Sequence, residues 1–458
     1  MKYNDAKYND LRKIYKEFNY DNYSYNFSNN KLEISFEFSQ YDGIKFNPKW
    51  IIPINENVYF KKNKKFLDKI VFNLGLVEVI SYWKATCSPV LNIKCSSIDE
   101  NQKKWWKKLY FNGLGEFFYT NNICVDEDNF INIKCIKQDL EEKITLEDEY
   151  YGCLIPIGGG KDSIVTLETL SQSEQKNDNL CYIVNPRGAT IETVKMAGYS
   201  NNTICVSRTL DKNLIDLNLK GFLNGHTPFS AILAFSSYLT AYLCNKKYIV
   251  LSNESSANES NVEGTNINHQ YSKSIEFEND FREYVNNYLS NEIQYFSFLR
   301  PLNEFRIIKI FCKYPKYFKI FKSCNVGSKE DIWCKNCPKC LYVYIMLSAF
   351  LSLDKMNDIF ETNLFENSTL KNILDGLVSD KFDKPFECVG TKKEINYALY
   401  IKINNIKKNK ETMPSLLTYY INNYSDIYDN IANNNIKVDI EEYYDSQNNI
   451  PLEYKELI

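Results

Sequence analysis

Six consecutive residues, Gly158, Gly159, Gly160, Lys161, Asp162 and Ser163, carry the first recognisable chemistry in this chain. They follow the apolar run Leu154 to Ile157 and precede Ile164, Leu167 and Leu170, which recur at helical spacing. The pattern reads as strand, tight loop, helix. Glycines let a backbone approach a phosphate closely, and the free N–H groups and dipole of a helix start favour its negative charge. Lys161 can neutralise a phosphate, while Asp162 and Ser163 can position a metal ion or phosphate oxygens. The loop is not a Walker loop, which needs four residues between its first glycine and the Gly-Lys pair. An ordinary glycine-rich turn is the plain alternative, and six residues in this order after a strand argue against it.

A second group is sulfur. Cys324, Cys334, Cys337 and Cys340 fall within seventeen residues of a chain whose other cysteines, of fourteen in all, are dispersed. Four thiolates can close a tetrahedral shell around Zn²⁺ and fix an otherwise loose loop. Reduced thiols that bind nothing, a redox-active Cys-x-x-Cys pair and an iron–sulfur site are the alternatives. The clustering favours metal, and a structural zinc needs no open coordination position.

Between these groups lies a polar stretch from Ser252 to Phe281. Glu254 and Glu259 can hold Mg²⁺ beside Asp162, since hard oxygen ligands suit that ion. His269 and Lys273 can move a proton at neutral pH if their surroundings tune them. Arg300 is a candidate clamp for a carboxylate or phosphate, with Glu254, Asn258 and Gln270 as further substrate contacts. A surface loop whose polar groups meet water is the competing reading. His226, the other of only two histidines, precedes a helical run and reads equally as a cap or a functional group.

The elements that must position these residues follow from hydrophobic rhythm. Residues 1–145 mix short strand-like and helical runs (KLEISFEFS, KWIIPIN, VFNLGLVEVISYWKAT, NFINIKCIKQ) without a βαβ rhythm, which predicts an α+β accessory or substrate domain. Its aromatic pieces, Ser81–Cys87 and Lys103–Tyr119, are core by default. Residues 146–355 alternate strands (Cys181–Pro186, Thr203–Arg208, the YIVLS run) with helices, one from about Pro228 to Cys244. That alternation predicts an α/β fold with a doubly wound parallel sheet, whose ligand sits at the carboxyl ends of the strands. Gly158–Ser163, Asn185 and Ser252–Glu254 then share one rim. Residues 356–458 are polar and Asn-rich and read as a small helical region with a loose tail.

The 458 residues carry a formal charge of −3 with 44% hydrophobic content, so no global basic field draws the chain to nucleic acid. The Lys313–Lys322 segment interleaves lysines with aromatics and reads as a solvated helix face over a buried aromatic side. No run is apolar enough for a bilayer, and the N-terminus lacks a signal-peptide core. A cytoplasmic protein with reduced cysteines is expected; its oligomeric state stays open.

The glycine loop resembles the PP-loop of the ATP pyrophosphatase superfamily, S-G-G-x-D-S, with Gly158 in place of the first Ser. The resemblance implies the adenine-nucleotide hydrolase-like fold and cleavage of ATP to AMP and pyrophosphate, with Gly158–Ser163 and Asn185 at the nucleotide and Asp162 at Mg²⁺. The deazaguanine-synthesising branch carries a four-cysteine zinc loop similar to Cys324, Cys334, Cys337 and Cys340. The set IPIGGGKDS, SNESSANESN, NHQYSKS with FEND, FSFLRPL, and SCN with W-C-x-x-C-P-K-C is similar to one family. That family is the ATP-dependent UDP-N-acetylmuramoyl-L-alanyl-L-glutamate epimerases of peptidoglycan synthesis. The likeness spans about residues 70 to 345, and it implies a UDP-sugar-peptide substrate whose glutamate is adenylated and inverted, with AMP released. Lys161, Asp162, His269 and Lys273 are the expected catalytic residues. Rival readings are a nucleobase-synthesising or tRNA-modifying enzyme, and a nucleotide sensor without catalysis. The chain shows no basic face or added module for RNA.

Overall fold

Burial patterns separate two kinds of strand. Cys153–Pro156 and Tyr248–Leu251 are buried at every position, as strands covered on both faces must be. Lys31–Gln40 instead alternates buried and open positions, the mark of a sheet with one wet face. The computed structural model describes residues 6–136, 144–146, 148–262, 264–433 and 436–458. Among them the strands are β1 (Glu17–Ser28), β2 (Lys31–Gln40), β3 (Lys45–Phe46), β4 (Lys49–Pro53), β5 (Val90–Ile93), β6 (Asn132–Cys135), β7 (Cys153–Pro156), β8 (Leu180–Val184), β9 (Thr203–Thr209), β10 (Tyr248–Leu251) and β11 (Gln294–Ser297).

They form one sheet in the order β11-β10-β7-β8-β9-β4-β2-β1-β5-β6, with β3 beside β2. The first five are mutually parallel. Their chain order reverses between β7 and β10, which opens a crevice at that switch point. The α/β class and the parallel sheet are as the alternation of strands and helices predicts. β9 then pairs antiparallel with β4, Trp50 opposite Arg208, so the mixed N-terminal strands continue the same sheet. The β1–β2 hairpin turns through Asn29 and Asn30, both at positive φ (51° and 55°), which suits a two-residue turn that keeps the strand twist.

Three expectations change. The VFNLGLVEVISYWKAT run is mostly part of a single helix, Lys64–Trp83, whose start is capped by the Asn63 side chain. It is buried all round from Val71 to Trp83, and a helix without a polar face shows no period to read. Lys313–Lys322 holds only a short 3₁₀ turn at Pro315–Tyr317 rather than a helix, because Pro315 cannot continue one. Its aromatics Tyr317, Phe318 and Phe321 are nevertheless buried. The C-terminal region is helical, with Lys392–Asn409 held by a Thr391–Glu394 capping box, but its tail is not loose. Tyr454 packs against the rings of Tyr248 and Phe296 and its hydroxyl lies 3.2 Å from Cys153 Sγ. No helix among the described residues is long and apolar enough to cross a membrane.

The junction of the two kinds of strand is fastened by a buried charge. Glu78, fully buried on the Lys64–Trp83 helix, accepts hydrogen bonds from Trp50 Nε1 on β4 (2.7 Å) and from Arg208 on β9 (2.6 and 2.7 Å). Removing one partner of a buried pair strands the other charge, at a cost of about 3–5 kcal/mol. Glu78→Ala is therefore expected to lower the unfolding free energy by about that amount in urea titration. A loss below about 1 kcal/mol, the size of a surface pair, would contradict the assignment.

Candidate active site

The glycine loop leaves β7 and enters the helix Lys161–Leu170. Gly159 has a φ of 78°, and a Cβ there would meet the Ala189–Thr190 backbone at 3.1 Å, so glycine is required twice over. Nothing lies within 4 Å of a Cβ at Gly158, which faces an open cavity of about 460 Å³. No side chain caps the helix start, leaving first-turn N–H groups for an anion. The cavity sits at the switch point. Its walls include Gly158, Gly160, Asp162 and Ser163 from one side and Ser252, Asn253 and Glu254, beyond β10, from the other.

Lys161 does not face this space. Its ammonium is fully buried and paired with Asp162 and, at 2.5 Å, with Glu304. Burial alone would pull the lysine down, but the two carboxylates push it above its ordinary value. Burial likewise pushes Asp162 up, and Lys161, with Lys339 and Lys273, more than reverses this and holds its carboxyl below the usual range. Glu304, in the same group, is raised by burial. The cations that do line the cavity are Arg187, Lys273, Lys322 and Lys339. Arg187 also ties two loops, donating to Ser328 O (2.7 Å) and Gly158 O (3.2 Å).

Arg300 is placed behind the wall. It is fully buried and grips main chain, donating to the carbonyls of Glu254 (2.6 Å) and Lys273. It thus fixes two cavity residues instead of meeting a substrate. Asn258 is exposed, and its side chain accepts from Ile275 N (2.9 Å). Gln270 is buried away from the cavity lining. Glu259 pairs with Lys384. Asn185 binds both backbone polar groups of Arg208 (3.0 and 2.8 Å) and so fastens β8 to β9.

A titratable cluster meets the cavity through Lys273 and Cys388. The Nδ1 atoms of His269 and His226 both meet Glu116 Oε2, the latter at 3.3 Å. Lys273 Nζ donates to Cys388 Sγ at 3.1 Å, and His269 hydrogen-bonds the same sulfur. Burial pushes the Cys388 thiol up, but Lys273, His269 and Lys339 bring it down to about 5. Burial lowers His269, and Cys388 with Glu116 raise it to about 9. Burial and the neighbouring His269 pull His226 down to about 3. No site role follows from the sequence for Cys388, Lys339, Arg187, Lys322, Glu304 or Glu116, although Lys322 ends the Lys313–Lys322 run, Glu116 falls in Lys103–Tyr119 and Lys339 in the C-P-K-C run.

The four clustered cysteines do converge. Their sulfurs lie within 4.8 Å of one another, with Cys324–Cys337 at 3.9 Å and Cys334–Cys340 at 3.8 Å. A tetrahedral shell at the usual zinc–sulfur length has edges of about 3.8 Å, so the geometry fits that ion. The Gly327 and Cys334 amides also donate to Cys324 Sγ (3.1 and 3.4 Å). This loop supplies the Lys322–Asn325 and Ser328 wall of the cavity.

Fold and site together define an α/β protein with its ligand cavity at a topological switch point. Residues 9–298 match the MurL N-terminal domain and residues 320–426 the MurL C-terminal domain. The chain belongs to the MurL family. It is 32% identical over 336 residues to the UDP-N-acetyl-alpha-D-muramoyl-L-alanyl-L-glutamate epimerase of Xanthomonas oryzae pv. oryzae, covering 72% of this chain and 73% of that protein. It is 29% identical over 389 residues to the like-named protein of Salinispora tropica, covering 83% and 84%. Against that of Micromonospora sp. the identity is 30% over 341 residues, covering 73% and 74%. No solved structure matches the chain significantly.

A thiol already ionised above pH 5 reacts almost equally at pH 6.5 and pH 8. An ordinary thiol slows roughly twentyfold or more over that interval, following its thiolate fraction. Iodoacetamide labelling of Cys388, read by peptide mass spectrometry, is expected to slow less than about twofold. A slope matching the ordinary thiol would refute the ionised state.

Proposed function

We propose that this chain is an ATP-dependent epimerase of the PP-loop type that converts the L-glutamate of UDP-N-acetylmuramoyl-L-alanyl-L-glutamate to D-glutamate, a cytoplasmic step in peptidoglycan precursor synthesis. One observation carries the reading: in a MurL-family chain, Cys388 and Lys273, which meet at 3.1 Å, line the same switch-point cavity as the glycine loop, with His269 beside them outside the lining. Activation and proton transfer then share one space.

The α-proton of a glutamate carboxylate is weakly acidic, because its removal puts more negative charge beside an anion. Adenylation by ATP as co-substrate removes that charge and makes the carbonyl electron-withdrawing. The Gly158–Gly160 backbone and the Lys161–Leu170 helix start would hold the phosphates, with Arg187 and Lys322 offsetting their charge. Asp162 and Glu254, both on the cavity wall, would hold Mg²⁺, which neutralises the departing pyrophosphate. Lys161 acts one layer down, fixing Asp162 and Glu304. The cluster at His269, Lys273 and Cys388 would handle the proton. Zn²⁺ on Cys324, Cys334, Cys337 and Cys340 would set the Lys322–Ser328 wall and take no part in the chemistry.

Incubation with ATP, Mg²⁺ and that UDP-sugar-peptide is expected to release AMP and pyrophosphate together with D-glutamate on hydrolysis. Ribonuclease treatment leaves this unchanged, unlike a tRNA-modifying enzyme, and a sensor would bind ATP without AMP. Asp162→Asn is expected to lower kcat by about 10²-fold or more without loss of fold; full AMP production by this variant would sink the assignment. Elemental analysis is expected to find one zinc per chain, lost in Cys337→Ser; a metal-free, fully folded wild type would remove zinc from the scheme.

A further inference from the structure

The groups expected to move a proton are badly placed to accept one. His269 offers Nδ1 to Glu116 and its other contact to the Cys388 sulfur. Lys273 donates to that sulfur at 3.1 Å, and its own carbonyl is held by the buried Arg300. As cations, neither has a lone pair. The sulfur between them does, and it stands on the cavity wall with the glycine loop. Of the two cysteines lining that cavity, Cys324 belongs to the four-sulfur cluster, which leaves Cys388 unassigned. Its backbone is fixed as well. Lys339 Nζ donates to the Cys388 carbonyl, and Lys339 N to the neighbouring Glu387 carboxylate at 2.7 Å.

We propose that Cys388 is the catalytic residue that removes the α-proton of the activated glutamyl residue, with His269, Lys273 and Glu116 as positioning residues that hold its sulfur as a thiolate. The proposal rests on the epimerase reading above. In the step, the C–H bond breaks and an S–H bond forms. The C–H electron pair moves into the activated carbonyl as an enolate. A proton from water reaches the opposite face, re-forming C–H with inverted configuration, and the Cys388 thiol returns its proton to solvent. No oxidant or reductant is consumed. The depressed thiol and raised imidazole described above agree with such a pair, as do the thiolate–imidazolium pairs of activated cysteines generally.

The test uses the full chain with ATP, Mg²⁺ and UDP-N-acetylmuramoyl-L-alanyl-L-glutamate in D₂O. Two rates are read: ATP–pyrophosphate exchange for activation, and deuterium at the glutamyl α-carbon by mass spectrometry for proton transfer. Wild type is expected to show both. Cys388→Ala and the near-isosteric Cys388→Ser are expected to lose deuteration by about 10²-fold or more, the range for a general base, while exchange falls less than about fivefold. Either variant deuterating within tenfold of wild type would overturn the proposal. So would equal loss of both rates in a folded variant, which marks a binding role. Hydroxylamine capture of an acyl group from Cys388 would make it a nucleophile and overturn it too. Should both variants fail to fold, stoichiometric alkylation of wild-type Cys388 replaces them, with the same two rates deciding. If wild type itself shows neither rate, the epimerase reading fails first and this proposal with it.

Discussion

A lysine ammonium buried between two carboxylates is the interaction on which this site depends. Lys161 opens the helix after the glycine loop, and Glu304 opens the helix Glu304–Phe311 beyond β11. Their contact at 2.5 Å joins the helix that follows β7 to the helix that follows β11. A charge taken out of water is tolerable only with a partner, so neither helix start can shift alone. Asp162 shares the same ammonium and is thereby presented to the cavity at a fixed place. The cost of desolvation is unevenly borne: Asp162 is pulled down and Glu304 is raised by burial. A sandwiched lysine thus organises the floor, while Arg187 and Lys322 on the cavity wall face an anionic ligand.

The opposite wall depends on sulfur. Four cysteines drawn within 4.8 Å fold a loop that would otherwise have too little apolar surface to hold a shape. That loop brings Lys322 to the cavity and places Lys339 where it binds Glu387 and Cys388. The C-terminal region thus meets the site both directly, at Cys388, and through the cysteine loop, and its helices share that loop's core. Arg300 performs the corresponding service for the middle of the chain by holding the carbonyls of Glu254 and Lys273.

What the residues disclosed in advance follows from how local each signal is. Gly158–Ser163 announces itself because one loop must satisfy a tight turn, a close backbone approach and a helix start within six positions. The cysteine loop does so because its ligands are near in sequence, and the parallel strands do so because burial on both faces leaves continuous apolar runs. Cys388 gave no such signal. It is a lone cysteine in a polar region, and its partners lie 115 and 49 positions away. Arg300 misled for a related reason: a guanidinium suits a carboxylate ligand and a backbone carbonyl equally well. Type and neighbourhood in sequence do not say which it meets. The Lys64–Trp83 helix was hidden by its own burial.

The same logic explains why the acid–base cluster needs so much of the chain. Glu116 comes from a short helix of the first half, His226 and His269 from loops flanking the Phe229–Leu243 helix and the β10 segment, and Cys388 from the C-terminal region. Burial by itself would push Cys388 up and pull both histidines down. Brought together, they separate: His226 falls to about 3, Cys388 falls to about 5, and His269 rises to about 9. Widely split values among touching groups identify which holds a proton and which can take one. At neutral pH the imidazole of His269 and the ammonium of Lys273 are full, and the sulfur is empty. The cavity thus presents a basic sulfur flanked by its own counter-charges, apart from the Asp162 and Glu254 carboxylates on its wall. A carbanion formed beside it develops negative charge against Lys273 and His269 rather than in water, which is the arrangement that lowers a carbon-acid barrier.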